Sequence, residues 1–283
     1  IFTQLANVPT AALTNDDFYY NKLGLVIGTE GNPADTEYAI AISSDSFTTT
    51  EYVQSDNTIG STLGTEDWQT YADWGGSSGE FIVGLTPNTT YSVKIKARRG
   101  EYTEGPFGPI DTATTSNLTL SFDIDISAID EETEAPYSIS LGTVAPNSIT
   151  SANENIWIDL STNAAHGGRV YVSGGSGGLY SANAGYTISA VSADLSSISE
   201  GFGIQSVSAS QSSGGPFIAL SPYDGSTDVV GGISTTPNSV FSTSNLPVTN
   251  ARGDIAVKVK TKDLTPAAND YTETLTFIAA ALF

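Results

Sequence analysis

The sequence predicts an all-β protein of two β-sandwich domains, and three observations carry that reading. Apolar residues alternate with polar ones at a period of two, and almost nothing repeats at helical spacing. The apolar segments are short, rich in Val, Ile, Tyr and Phe, and separated by turns of Gly, Ser, Thr and Asn. The 283 residues amount to two domains at roughly 100–200 residues each. No period of about 20–50 residues recurs, which excludes a solenoid or propeller.

In the first half, "NKLGLVIGTEGNP" is an apolar run closed by the turn Gly31-Asn32-Pro33. "TEYAIAIS" alternates, with Tyr38, Ile40 and Ile42 on one side, and "GEFIVGL" is a short buried strand. "GLTPNTTYSVKIKARRG" is the most regular stretch: Pro87 and Asn88 turn into a strand with Tyr91, Val93, Ile95 and Ala97 on one face. Ser92, Lys94, Lys96 and Arg98 take the other face, a basic stripe that reads either as a solvated surface or as a contact for an acidic neighbour. "GPIDTATT" closes this half.

Leu85, Pro87, Thr90, Tyr91 and Ala97, the glycine-containing turn after them and the closing "TATT" resemble the later strands of a fibronectin type III module. The longer run from "EYAIAIS" through "EYVQSDNTIG" to "EYTEGPFG" is similar to a subgroup found in bacterial surface proteins. The resemblance covers roughly residues 8–115. It departs where that family usually has a tryptophan on the second strand, since Leu25 or Ile27 stands there.

In the second half, "LTLSFDIDIS" places Leu118, Leu120, Phe122, Ile124 and Ile126 on one side, and Thr119, Ser121, Asp123 and Asp125 on the other. Further strands are "NIWIDLS", "GRVYVSG", "GYTISAV", "DIAVKVKTK" and "DYTETLTFIAAALF". The phrases "SISLGTVAPNSITSANENIWIDLSTNAAHGGRVYVSG" and "PAANDYTETLTFIAAALF" resemble a family of bacterial cell-surface β-sandwich domains. That resemblance implies a jelly-roll-like sandwich over 117–283, a strand end at Leu141-Gly142-Thr143, and a last strand formed by the closing segment. The fibronectin type III-like domain then spans 9–116, with a separate segment at 1–8.

Charge and composition narrow the function. The chain carries 31 acidic and 10 basic residues, a formal net charge of −21. Fifteen acidic and five basic residues precede Ser116, and sixteen and five follow it, so both halves are acidic. Such a field repels phosphate backbones and argues against a nucleic-acid partner. There is no cysteine, hence no disulfide and no thiolate chemistry. No apolar run of about 18 residues predicts a membrane helix. "IFTQLANVP" is neither the apolar helix that opens type IV pilins nor a signal peptide, and we expect a processed, extracellular, cell-surface protein.

Candidate chemistry is sparse. His166, the single histidine, lies in "HGGR", but a triad needs a G-x-S-x-G elbow and a base, and neither is present. Asp123 and Asp125, with Glu131, Glu132 and Glu134, offer carboxylate pairs for a glycosidase or oxygen ligands for calcium, but an acidic chain always offers such pairs and the favoured reading is a solvated face. "TNDD" and "SDS" are weaker oxygen-rich loops. "ARGD" at 251–254 has the form of an integrin motif but opens a strand. Asn88 and Asn117 stand in N-x-[ST] triplets, the acceptor pattern for a glycan. Trp68, Tyr71 and Trp74 in "EDWQTYADWGG" would either stack on a sugar or pack over a sandwich edge.

The segment "IFTQLANV" is apolar enough to pair with a sheet and too short to fold alone. Ile1, Phe2, Leu5 and Val8 are therefore candidates for strand donation into another copy. The expectation is a non-enzymatic, cofactor-free subunit of an extracellular filament or surface layer, a homopolymer of copies of itself. A surface adhesin or carbohydrate-binding protein meeting glycans or a neighbouring cell is the alternative, and a glycoside hydrolase with an accessory module the third.

Overall fold

The computed structural model describes residues 5–60, 66–100 and 103–283. The chain divides into two compact units, Ile1–Leu118 and Thr119–Phe283. Both are built from antiparallel sheets, and the protein is all-β, of sandwich type.

Among the described residues, nine strands build the N-terminal unit: β1 (Thr10–Asn15), β2 (Leu23–Gly28), β3 (Glu37–Ser43), β4 (Glu51–Val53), β5 (Ile59–Gly60), β6 (Gln69–Thr70), β7 (Glu80–Ile82), β8 (Thr90–Arg98) and β9 (Asp111–Thr114). One sheet runs β1-β2-β7; the other runs β5-β4-β3-β8-β9, with β6 also on β3. The register sets Ile95 opposite Ile40 and Val93 opposite Ile42. Directly opposed residues share a face, so these four side chains meet Leu23, Leu25 and Ile27 in one core. Asn88 turns the chain at φ +50, and the Tyr91 hydroxyl accepts the Thr86 N–H at 3.0 Å, tying that turn to its strand.

The C-terminal unit contains β10 (Leu120–Ser127), β11 (Ile149–Ser151), β12 (Asn155–Thr162), β13 (Gly168–Gly174), β14 (Gly178–Ser181), β15 (Tyr186–Ser189), β16 (Ala193–Asp194), β17 (Gly201–Ser210), β18 (Ser213–Gly214), β19 (Ile218–Ala219), β20 (Val229–Val230), β21 (Asn238–Ser242), β22 (Val248–Lys260) and β23 (Leu275–Ala281). One sheet is centred on β22, which carries β12 and β11 along one side and β17 and β18 along the other, with β10 outside β12. The second runs β19-β21-β13-β23. Between them Phe217 and Phe241 stack with centroids 4.8 Å apart, beside Phe202, Ile158, Leu160 and Val170.

One feature of this unit differs from expectation. Residues 138–144 lie outside every strand; Ile139, Leu141 and Val144 pack on the core from an extended stretch without a ladder. Here the first strand, β10, pairs with β12, and among the described residues the last strand, β23, has β13 as its sole sheet partner. One side of the sandwich is left with two outer strands, β10 and β23, near each other.

Candidate assembly interface

The β23 edge follows from its pairing. Leu275, Phe277, Ala279 and Ala281 oppose Gly174, Val172, Val170 and Gly168. Val172 and Val170 are buried, so this set of side chains faces the core, while Thr276 and Ile278 face outward. Leu282 N–H donates to Gly167 O at 2.8 Å, and Gly175 N–H to Thr274 O at 2.9 Å. Even-numbered residues therefore turn their backbone groups to β13. By alternation the N–H groups of Phe277, Ala279 and Ala281 point away from the sheet, and no backbone or side-chain partner among the described residues meets them. The strand has no charge, proline or glycine, and outward-facing Ile278 is 46% exposed. It lacks the usual devices that keep a sheet edge from pairing.

Glu273 fixes where this edge begins. Its carboxylate accepts the N–H groups of Gly175 (2.7 Å), Ser176 (3.0 Å), Gly178 (2.7 Å) and Thr274 (2.8 Å). Burial opposes ionisation of Glu273, but these donors outweigh it and hold the carboxyl below its ordinary value.

The β10 edge is different. Thr119 N–H donates to Asn163 Oδ1 at 2.8 Å, toward β12, so the even-numbered residues face outward. Ile124 N–H is already taken by Asp123 Oδ1 (2.8 Å) and Ile126 N–H by Thr133 Oγ1 (2.9 Å). Leu120 and Phe122 remain open, beside an acidic surface. The predicted alternation of β10 is present, but its apolar face is half-exposed because the strand lies at a sheet edge.

Of the proposed donor residues, Ile1 and Phe2 lie outside the described residues. Leu5 is 58% exposed. Ala6 is buried in the N-terminal core, and Asn7 is pinned to the same unit. Its N–H donates to Asn32 Oδ1 (2.7 Å), its amide to Glu30 O (2.8 Å), and its carbonyl accepts from Asn32 Nδ2 (2.9 Å). Residues 6–9 run beside Gly105 and Gly108; a Cβ at Gly108 would fall 1.9 Å from Pro9 O. Val8 thus shows its side chain at the surface on a backbone held by its own unit. Residues 6–8 are thus held within their own unit.

The structure separates the aromatic trio. Trp74 is a core residue, with its indole N–H on Tyr38 O at 3.0 Å, and fills the sandwich from the 71–76 turn. Tyr71 packs partly buried against the same core. Trp68 lies over the basic stripe, its ring 4.4 Å from the Arg98 guanidinium and 5.1 Å from Lys96 Nζ. The stripe is largely neutralised at home. Lys96 meets Glu104 (2.8 Å) and Glu66 (3.1 Å), and Arg98 meets Glu37 at 2.7 Å. Burial would lower the Lys96 pKa, but its two carboxylates raise it above the ordinary value. Lys94 sits over the rings of Phe47 and Phe107.

The remaining motifs are explained by packing. Arg252 of the "ARGD" stretch lies in β22, where it binds buried Asp125 (2.8 Å), Asp130 (2.8 Å) and Asp159. Gly253 gives Phe241 room, since a Cβ there would lie 2.6 Å from its ring. Asp254 is buried with Oδ1 unpartnered; burial raises its pKa. The carboxylate oxygens of Asp123, Asp125 and Glu132 come within 4.8 Å of one another. Asp125 is also held by Thr133 N–H at 2.7 Å, so the centre of this trio already has a guanidinium and an amide. Glu131 and Glu134 are exposed beside it. In "TNDD", Asp16 accepts Phe18 N–H and Asp17 accepts the Ser116 hydroxyl; in "SDS", Asp45 caps Thr49 N–H. His166 is exposed, with its backbone N–H on Leu282 O. Asn88 and Asn117 are both exposed.

No protein-family model and no curated protein sequence matches the chain. Among solved structures, an α-L-rhamnosidase from Dictyoglumus thermophilum is similar across 98% of this chain at 12% identity, with a TM-score of 0.21. This chain spans 29% of that one, and a likeness at this level carries no argument about fold or activity.

Proposed function

We propose that this protein is a structural subunit of an extracellular assembly, a filament or surface layer, whose copies join by adding a strand to an open sheet edge. The observation that carries this reading is β23: a seven-residue, uncharged strand with outward N–H groups unpaired and Ile278 exposed. An edge of that kind favours pairing with another chain. The resemblance of the two halves to surface-protein domains accords with an extracellular setting. No reaction is needed; backbone hydrogen bonds would give strength, and alternating side chains would give register.

The polar clusters support the same reading by their chemistry, since Arg252, Glu273 and Lys96 each spend their charge on nearby groups within the fold. Of the aromatic trio, Trp74 is buried and Trp68 lies against Lys96 and Arg98, which favours the packing reading over stacking on a sugar. Negative-stain imaging and sedimentation of the purified full chain test the proposal. Filaments or sheets are the expected result, and a monomer at every concentration and salt tried would refute it.

A further inference from the structure

We infer that Asn88 is the attachment site of an N-linked oligosaccharide; this shares the extracellular setting of the reading above and does not depend on strand addition. The acceptor pattern is selective in this chain. Of sixteen asparagines, only Asn88 and Asn117 have Ser or Thr two places on with no proline between.

Asn88 stands exposed in the turn that leads into β8, at φ +50. Its backbone N–H donates to Ser116 O at 3.3 Å, and the Thr89 N–H donates to Thr115 Oγ1 at 3.0 Å. Backbone groups and Thr115 thus hold the turn, and among the described residues the Asn88 side-chain amide has no hydrogen-bond partner. Glycine meets a positive φ equally well, so the turn itself does not call for an amide. Thr90 supplies the hydroxyl of the pattern. It is exposed at the start of β8 and shares a hydrogen bond of 2.8 Å with its cross-strand partner Thr114. A bulky, hydrated chain on Asn88 Nδ2 leaves all of these bonds in place.

Asn117 is the poorer acceptor. It already interacts within the fold. Its Thr119 is fixed at both backbone groups, the N–H on Asn163 Oδ1 (2.8 Å) and the carbonyl on the Thr162 hydroxyl (2.9 Å).

The modification is a glycosyl transfer from a lipid-linked oligosaccharide phosphate, carried out by a transferase of the producing cell. A bond forms between Asn88 Nδ2 and the anomeric carbon of the first sugar, and the bond from that carbon to the phosphate oxygen breaks. The amide proton passes to a base of the transferase, and the lipid phosphate leaves.

Peptide mass spectrometry of the full chain purified from its native cells tests the site. Cleavage after glutamate separates the two triplets, with Asn88 in 81–101 and Asn117 in 105–131. The 81–101 peptide should be heavier by several sugar residues, placed on Asn88 by electron-transfer fragmentation. Asn88→Gln and Thr90→Ala, made in the same cells, should each lose that mass and keep the circular dichroism spectrum, while Thr90→Ser should retain it. An unmodified 81–101 peptide as the sole form would overturn the inference, and so would sugar confined to 105–131. Sugar on 81–101 that survives Asn88→Gln would overturn it in favour of linkage to a hydroxyl. A chain that carries sugar on Asn88 and never assembles would overturn the proposed function and leave this site standing.

Discussion

Trp74 donates its indole N–H to the backbone oxygen of Tyr38 at 3.0 Å from inside the N-terminal core. A side chain set in a turn thereby supplies the bulk that Leu25 and Ile27 do not bring to the middle of the sandwich. Trp74→Ala should cost about 3–5 kcal/mol of stability, as a large aromatic removed from a core does. Trp68→Ala, which loses ring–cation contacts near the surface, should cost roughly 0.5–2 kcal/mol. Urea melting of both variants checks this, and equal losses would contradict the separation of the two rings.

Arg252 binds Asp125, Asp130 and Asp159, and Asp125 is fully buried. Arg252→Ala should therefore destabilise by about 3–5 kcal/mol, because it strands a buried charge. Lysine should restore only part, since a point charge cannot fork to several carboxylates. The folded protein should also fail to compete with a short Arg-Gly-Asp peptide for integrin, because these residues are paired on both sides within β22. Competition by the folded chain would contradict this account of the motif.

Two carboxyls should respond to pH with opposite signs. Glu273 has its pKa lowered in the fold, so its contribution is present above the ordinary carboxyl pKa of about 4.3 and lost as pH falls through the folded value. Glu273→Gln should lower the melting temperature at pH 7, with a smaller difference in acid. Asp254 has its pKa raised, so its charge costs stability once pH rises above the unfolded value of about 3.9 and on through the folded one. Asp254→Asn should gain on the order of 1 kcal/mol at pH 7 and little near pH 3. Melting curves of both variants across that range decide the signs.

Salt should promote assembly. Copies of net charge −21 repel one another, and raising ionic strength from ~0.01 M to ~0.1 M shortens the screening length from about 30 Å to about 10 Å. Sedimentation across that range should show more assembled material at the higher salt. Less would point to an ionic contact, with the Lys94 side of β8 as its natural source.

Much of the fold is legible in the sequence, because alternation reports which side of a strand is buried. It does so for β8 and β12; in β10 only Phe122, Ile124 and Ile126 of the apolar set pack on the core, Leu118 and Leu120 are exposed, and Asp125 and Ser127 on the opposite face are buried. Alternation does not report neighbours. The position of β10 at an edge, its pairing with β12 and the missing partner of β23 depend on contacts between segments over 100 residues apart in some cases. Strand β17, "GFGIQSVSAS", is not legible in the sequence, because its glycines and serines blur the apolar pattern although its first half is buried. The Arg252 cluster is likewise hidden, since Asp125, Asp130 and Asp159 reach it from separate segments.

Amide hydrogen exchange along the last strand offers the most direct measurement. In the monomer, Ile278 and Ala280 should be protected by β13, while Phe277 and Ala279 exchange freely. In the assembled full chain all four should be protected, as the outward pair acquires acceptors from the added strand. Phe277 and Ala279 exchanging as fast in the assembly as in the monomer would contradict strand addition at β23.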